Sequence, residues 1–509
     1  MSVAAGIEVT LEVGQEKSLS VLPTGRTSTE DPQMYAVLRI AVGNTGGDPG
    51  ADAPRAPGPA LAEVLVVDTS RSMLHPDDKL HAAKDATVAA IRLLPDGTPF
   101  AVLSGRFNAT VVYPGPGSTA MAVAGPAERR AAERVVRTLD ADGGTAIGTW
   151  LYLARRLLTE QSAPIKHVLL LTDGRNEHDD DPRVAMRLDT ALDACEGRFV
   201  CDVWGIGEGW DSGELLRIAR RLHGQAGAVE RESELPAVYE RLVTGLLGKT
   251  VPELRIRLTP NPGTVIREVR QIVPTEQDPL AATAFGGRAE YVTRAWGEEV
   301  RHYQVVLAAD PTGRATGEDL QLAAVELDVP DFGRPVRLPA PVPILVNWND
   351  EPADPSEVYS AVHRSRLYQR TNAAVVAAYR AWQRTDALEA DGEFARALAL
   401  ARELGDTDLL ATLRRLEDEP GSGHLREGIR DVHWHRLILT TAITTPPDPV
   451  PPAAPDPAPR PSDGGRRENG PPVGADRLVQ CPKCGWKGPP DSVYCGGVHN
   501  CGRLPVEPG

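Results

Sequence analysis

Asp68, Ser70 and Ser72 occupy alternate positions directly after an apolar run, Leu61 to Val67. Oxygen-bearing side chains at alternate positions past a strand end can turn toward one point and hold one small, hard cation. Mg2+ suits such a set because it takes octahedral oxygen coordination and accepts water among its ligands. Mn2+ or Ca2+ are alternatives for the same donors. Two further oxygen-bearing residues hold comparable positions downstream. Thr145 follows Gly143-Gly144 and precedes a helical pattern, Ile147 to Leu158. Asp173 lies in Thr172-Asp173-Gly174, after a second apolar run from His167 to Leu171.

These residues need strand ends and helix starts around them. From Leu61 to Leu247 apolar runs alternate with helical patterns near 79–93, 127–139, 147–158, 182–195, 213–222 and 235–247. That alternation is the mark of an open, mostly parallel α/β sheet. Ligands in such sheets bind at the carboxyl ends of the strands, where strand order reverses. Asp68 and Asp173 both fall at strand carboxyl ends.

The order and spacing of Asp68, Ser70, Ser72, Thr145 and Asp173 resemble the metal-ion-dependent adhesion site of von Willebrand factor A (VWA) domains. All five positions match that pattern. The resemblance covers roughly residues 60–248 and implies a doubly wound α/β fold. It further implies that the hydroxyls contact the metal while the aspartates act largely through water. A metal held so keeps much of its charge and can take an Asp or Glu of a protein partner as its last ligand. Bacterial VWA proteins of this kind work beside ATPases, kinases or phosphatases, so such a component is the expected partner.

A second metal motif lies in the C-terminal segment. Cys481-Pro-Lys-Cys484-Gly485-Trp486 has the form of a zinc-knuckle turn, and Cys495 and Cys501 supply two more thiolates for a tetrahedral Zn2+. The segment resembles zinc ribbons, although five residues separate its second pair of cysteines. His499 is an alternative ligand there. A module of this size has too little core to fold alone, so the metal is expected to staple it.

Around these motifs the chain divides further. Residues 1–50 contain two alternating strands with no partner of their own, and 251–348 reads as short strands of an antiparallel β-sandwich. A lone hairpin is marginal in water, so the N-terminal strands are expected to pair with the sandwich, leaving the α/β domain as an insertion. Residues 355–445 show helical periodicity, read as two or three helices packed on the sandwich. Residues 446–475 are rich in Pro, Asp and Ala and read as a disordered tether. Residues 476–509 are the zinc ribbon.

Composition narrows the function. A formal charge of −15 argues against a general nucleic-acid or anionic-membrane binder. No run approaches the roughly 18 apolar residues that span a bilayer, and the N-terminus lacks a signal-peptide pattern, so a cytoplasmic protein is expected. Asp68-x-Ser70 lacks the second aspartate of Asp-x-Asp phosphotransferases, and the sequence offers no evident general base beside the five residues. The reading is a non-enzymatic, metal-dependent interaction scaffold with no nucleic-acid or membrane partner. The alternatives are an RNA-associated VWA protein of a ribonucleoprotein and, further off, a metal-dependent hydrolase. Lesser features are read as structural. Cys195 and Cys201 are buried thiols, His433-Trp-His435 a solvated or core pair, and Glu177 to Asp181 a solvated loop. Trp210 is a candidate for the partner surface.

Overall fold

All eight residues of the strand Leu61–Asp68 are buried, as a strand covered on both faces must be. The computed structural model describes residues 6–15, 17–20, 33–44, 60–74, 78–177, 179–229, 231–311, 314–349, 360–443, 479–480 and 487–488. Leu61–Asp68 lies inside a sheet ordered Ala226–Ala228, Val200–Gly205, Ile165–Thr172, Leu61–Asp68, Pro99–Gly105, Ala109–Tyr113. The first five are mutually parallel, Ala109–Tyr113 is an antiparallel edge, and Ala122–Val123 pairs beside Pro99 and Phe100. From Leu61–Asp68 the chain adds strands on one side, then crosses to Ile165–Thr172 on the other. Strand order therefore reverses between these two neighbours, which opens a crevice at their carboxyl ends.

Side-chain alternation covers both faces. Ala62, Val64 and Val66 join one core with Trp150, Leu151 and Leu192, while Leu65 and Val67 join the opposite core with Ala83, Ile91 and Tyr239. The helices Ile147–Thr159, Leu188–Cys195 and Ser212–Arg221 cover the first face, and Asp78–Leu93 and Leu235–Leu247 the second.

Two further sheets share one core. The first runs Thr264–Val273, Glu299–Ala309, Gln33–Asn44, Ile7–Gln15, Val336–Arg337, and the second Ala282–Phe285, Arg288–Trp296, Val251–Pro260, Asp319–Asp328, Val342–Asn349, Ser18–Ser20. Ile7, Leu38 and Val305 of one meet Ile256, Trp296 and Val325 of the other. Gln33–Asn44 lies antiparallel between Ile7–Gln15 and Glu299–Ala309, so strands from both sides of the α/β domain build one sheet.

Several elements depart from the sequence expectation. The helix expected from residue 182 begins at Leu188, because Asp179 accepts the Leu188 backbone N–H and residues 179–187 are spent on a loop. Within the 251–348 segment, the last apolar stretch forms two strands, Val336–Arg337 and Val342–Asn349, divided by Pro339 and Pro341. The C-terminal helical segment holds four helices among the described residues: Ser360–Gln383, Ala387–Leu404, Thr407–Arg414 and Asp431–Ala442. Its apolar faces merge chiefly with the α/β core, not the sandwich: Trp434, Leu437 and Phe394 belong to the cluster that contains Leu215 and Leu222. The buried Ser212 hydroxyl lies 2.9 Å from His435 Nδ1 across that seam. The cysteines Cys481, Cys484, Cys495 and Cys501, His499 and the 446–475 tether lie outside the described residues. Val479–Gln480 and Lys487–Gly488, which flank Cys481 and Cys484 in sequence, pair antiparallel.

Candidate metal centre

Three loops at the sheet crevice are laced together by backbone and side-chain bonds. The first begins at Asp68, where the strand gives way to a short helical turn, Arg71–Leu74. Asp68 Oδ1 accepts the Ser70 backbone N–H at 2.8 Å, which folds the loop back over its own strand end. The second loop is zipped to the first: Asp142 N donates to Thr69 O at 2.9 Å, and Arg71 N donates to Gly143 O at 3.1 Å. Gly143 has φ +79, in the left-handed region that favours glycine, and a Cβ there would meet the Phe107 ring at 3.2 Å. This zipper carries Thr145 to the crevice just before the helix Ile147–Thr159.

The third loop leaves Ile165–Thr172. Thr172 Oγ1 donates to Asp68 Oδ2 at 2.7 Å, so Asp68 is held from both sides. Asp173 follows, and the Ser72 hydroxyl donates to its Oδ1 at 2.7 Å. Ser70 Oγ lies 2.9 Å from Ser72 Oγ. A Cβ on Gly174 would stand 3.1 Å from Thr145 Oγ1 and 3.6 Å from Ser72 Oγ, so glycine there lets the loops close. The five residues predicted as ligands thus meet at one end of one crevice.

Asp68, Asp173, Ser70 and Thr145 are buried, whereas Ser72 is exposed and opens the group to solvent. Burial, then the charge of Asp173, pushes the Asp68 carboxyl up to about 6, against the opposing hydrogen bonds from Ser70 and Thr172. Two carboxylates and three hydroxyls are hard oxygen donors, the set a divalent cation such as Mg2+ takes. No group of three or more His, Cys, Asp or Glu suited to a metal occurs among the described residues.

Residues 63–227 match the family model described as von Willebrand factor type A domain. This stretch is a VWA domain. A solved structure described as von Willebrand factor type A from Catenulispora acidiphila is 28% identical, with a TM-score of 0.74. The match covers 88% of this chain and 99% of that one, so the likeness extends beyond the VWA domain. An uncharacterized Synechocystis protein, sll0103, is 28% identical over 251 residues, 48% of this chain. The chain spans 55% of that relative's length. A paralog of ArnB, VWA2 from Sulfolobus acidocaldarius, is 13% identical over 86% of this chain and 98% of its own, with a TM-score of 0.46. VWA domains commonly serve as metal-dependent adhesion or protein-interaction modules.

The VWA crevice holds a participant that the sequence reading missed. Lys79, 7% exposed, places its ammonium 2.8 Å from Asp173 Oδ2. It reaches there past Gly207, where a Cβ would collide with Lys79 Cε at 2.6 Å. The available signal was compositional: Lys79 is one of seven lysines in a chain that otherwise uses arginine, and it follows Ser72 by seven residues. Asn176 and Glu214 were also missed. Asn176 Oδ1 accepts the Ile147 N–H at 2.7 Å, and Glu214 Oε2 accepts the Asn176 N–H at 2.9 Å. That chain ties the Asp173 loop to the helix behind Thr145.

Other candidates resolve as structure. Trp210 is fully buried, donates to Gly207 O at 3.0 Å and packs on Gly205, so it does not line the surface. Within the acidic run, Asp180 pairs with Arg187 and Asp181 with Arg183, so these charges are used inside their own loop. His433 Nδ1 accepts the Arg430 N–H while His435 faces Ser212, so the two rings point to separate partners. Cys195 and Cys201 are buried, free thiols. Among the described residues, no helix is long and apolar enough to cross a membrane.

Proposed function

We propose that the chain is a non-enzymatic, metal-dependent protein-interaction scaffold. Its VWA domain would hold Mg2+, or another divalent cation, through Ser70, Ser72 and Thr145 with Asp68 and Asp173. The observation that carries this reading is the meeting of those five side chains at the one crevice where strand order reverses. When bound, the cation supplies an electropositive point for an anionic ligand, and an Asp or Glu carboxylate of a protein partner fits that need. Two aspartates, the Lys79 ammonium and a divalent cation sum to one residual positive charge, which one carboxylate neutralises. The hydroxyls are arranged to hold charge, not to attack. Ser70 Oγ faces another hydroxyl, and Ser72 donates to an aspartate whose second oxygen is taken by Lys79.

A C-terminal zinc ribbon built on Cys481, Cys484, Cys495 and Cys501 would add a second contact. Two linked modules raise effective concentration without new chemistry. The antiparallel pair on either side of Cys481 and Cys484 supports a knuckle there. The free buried thiols accord with a reducing, cytoplasmic setting. Affinity capture with the full chain tests the proposal, comparing wild type with Ser70→Ala/Ser72→Ala, each in Mg2+ and in EDTA. Partners retained only by the wild type in Mg2+ are expected. Recovery of the same partners in all four conditions would remove the site from recognition.

A further inference from the structure

At the opposite end of the VWA sheet from the metal crevice, the strand beginnings Ile165 and Val200 face the sandwich across a cavity of about 220 Å³. Lys166 and Arg198 line it from the VWA side and Arg294 from the sandwich side. None of these three cations makes an ion pair or a side-chain hydrogen bond among the described residues. The carboxylate that most offsets Arg294, Glu253, is already bonded to Arg255 at 2.7 Å. Burial comes first, and the charges of Arg198 and Arg255 also push the Arg294 guanidinium down from its usual range. Burial and Arg198 do the same to Lys166.

A neighbouring pair gives the contrast. Arg301 and Lys249 belong to the same seam and share the Glu299 carboxylate, at 2.7 and 2.8 Å. There burial is the largest single effect and lowers the Arg301 guanidinium, yet Glu299 and Tyr303 together raise it. The fold pairs its cations at one point of the seam and, among the described residues, leaves three without an ion-pair partner at the next, with only Glu160 and Glu253 offsetting Lys166 and Arg294 from further off, in a chain of net charge −15. Crowded like charges around a cavity cost stability that a bound anion would return.

We propose that this crevice is a binding site for a phosphate-class oxyanion, inorganic or carried on a small molecule. Three cationic donors line it, two from one domain and one from the other. A carboxylate offers two oxygens, whereas a phosphoryl group offers at least three with multiple charge and matches the guanidinium fork. Because Lys166 and Arg198 belong to one domain and Arg294 to the other, the bound anion clamps the seam. A second cavity of about 190 Å³ shares Val200, Arg294 and Ala295 and extends the space available to the rest of such a ligand. His167, 3% exposed, also lines that cavity, but its ring is already held between Glu63 at 2.9 Å and Asp202 at 3.4 Å, so it is not among the donors.

The test is calorimetric titration of the full chain with inorganic phosphate and pyrophosphate, in EDTA, with chloride adjusted to constant ionic strength. Wild type is expected to bind saturably and to melt at higher temperature when loaded. Arg294→Gln and, separately, the exposed-site variant Arg198→Gln should each weaken binding at least about tenfold. Arg92→Gln, which breaks a surface pair with Glu133, should bind as wild type does. The proposal is overturned if neither anion binds saturably, if Arg198→Gln binds as tightly as wild type, or if citrate binds as well as pyrophosphate. Circular dichroism of the Arg294→Gln chain separates lost binding from lost folding, and Arg198→Gln decides the matter if it misfolds.

Discussion

Lys79 sets the charge of the candidate metal centre. Its ammonium lies against Asp173, while among the described residues Asp68 has no cation of its own, so one aspartate of the candidate site is compensated without a metal. Replacing it should therefore separate affinity from stability. In Lys79→Met the Asp173 carboxylate stays buried without its partner, a change that costs about 3–5 kcal/mol when a buried pair is broken. The metal-free chain should melt earlier, and Mg2+ should bind about tenfold more tightly and restore much of the loss. Calorimetric Mg2+ titration beside thermal melts checks both. Weaker Mg2+ binding would show that Lys79 chiefly orients Asp173. The oxygen ligands were legible because Asp, Ser and Thr stand out at the ends of apolar runs. Lys79 was not, since a lysine in the first turn of an amphipathic helix reads as a surface residue. Only the fold reveals that this turn points into the crevice.

Elements hold these residues through bonds that a period cannot express. The helix Ser212–Arg221 is capped by Asp211, and its Glu214 braces the Asp173 loop through Asn176. Burial, the largest effect, raises the Glu214 carboxyl to about 7 despite the Asn176 N–H. A folded-state value above the ordinary 4.5 means that the folded chain holds the proton more tightly. The corresponding stability is fully present below about pH 4.5 and is lost as pH rises through about 7. Glu214→Gln keeps an acceptor for Asn176 and removes the ionisation. It should stabilise the protein at pH 8 by up to about 3 kcal/mol and leave it unchanged near pH 4. Denaturant melts at both pH values test this, and equal effects at the two would contradict it. The alternation of strands and helices made the α/β sheet readable from periodicity. Where the helix Leu188–Cys195 begins was not, because Asp179, nine residues earlier in the chain, supplies the N-terminal bond.

The whole molecule joins three packed bodies. The sandwich takes strands from before and after the VWA domain, and the C-terminal helices cover the VWA helix Ser212–Arg221 and the strand Ala226–Ala228. Apolar stripes in the sequence show that these helices must dock. They do not show on what, since an apolar face carries no address. His435 meeting Ser212 and Arg430 pairing with Glu208 are recognisable only once both surfaces are in place. The helical bundle thereby braces Glu208 and Asp211, beyond the strand Val200–Gly205 and on the metal side of the sheet. Past the bundle, the four tail cysteines predict one zinc per chain by elemental analysis of the full-length protein. A value near zero would contradict the ribbon.

Asp68, Ser70, Ser72, Thr145 and Asp173 would together form one divalent-cation site. Calorimetric titration of the full chain with Mg2+ tests it most directly. One saturable site per chain is predicted for the wild type, lost in Ser70→Ala/Ser72→Ala while the melting curve in EDTA stays that of a folded protein. Equal Mg2+ affinity in the two proteins, or no saturable binding in the wild type, would contradict the account.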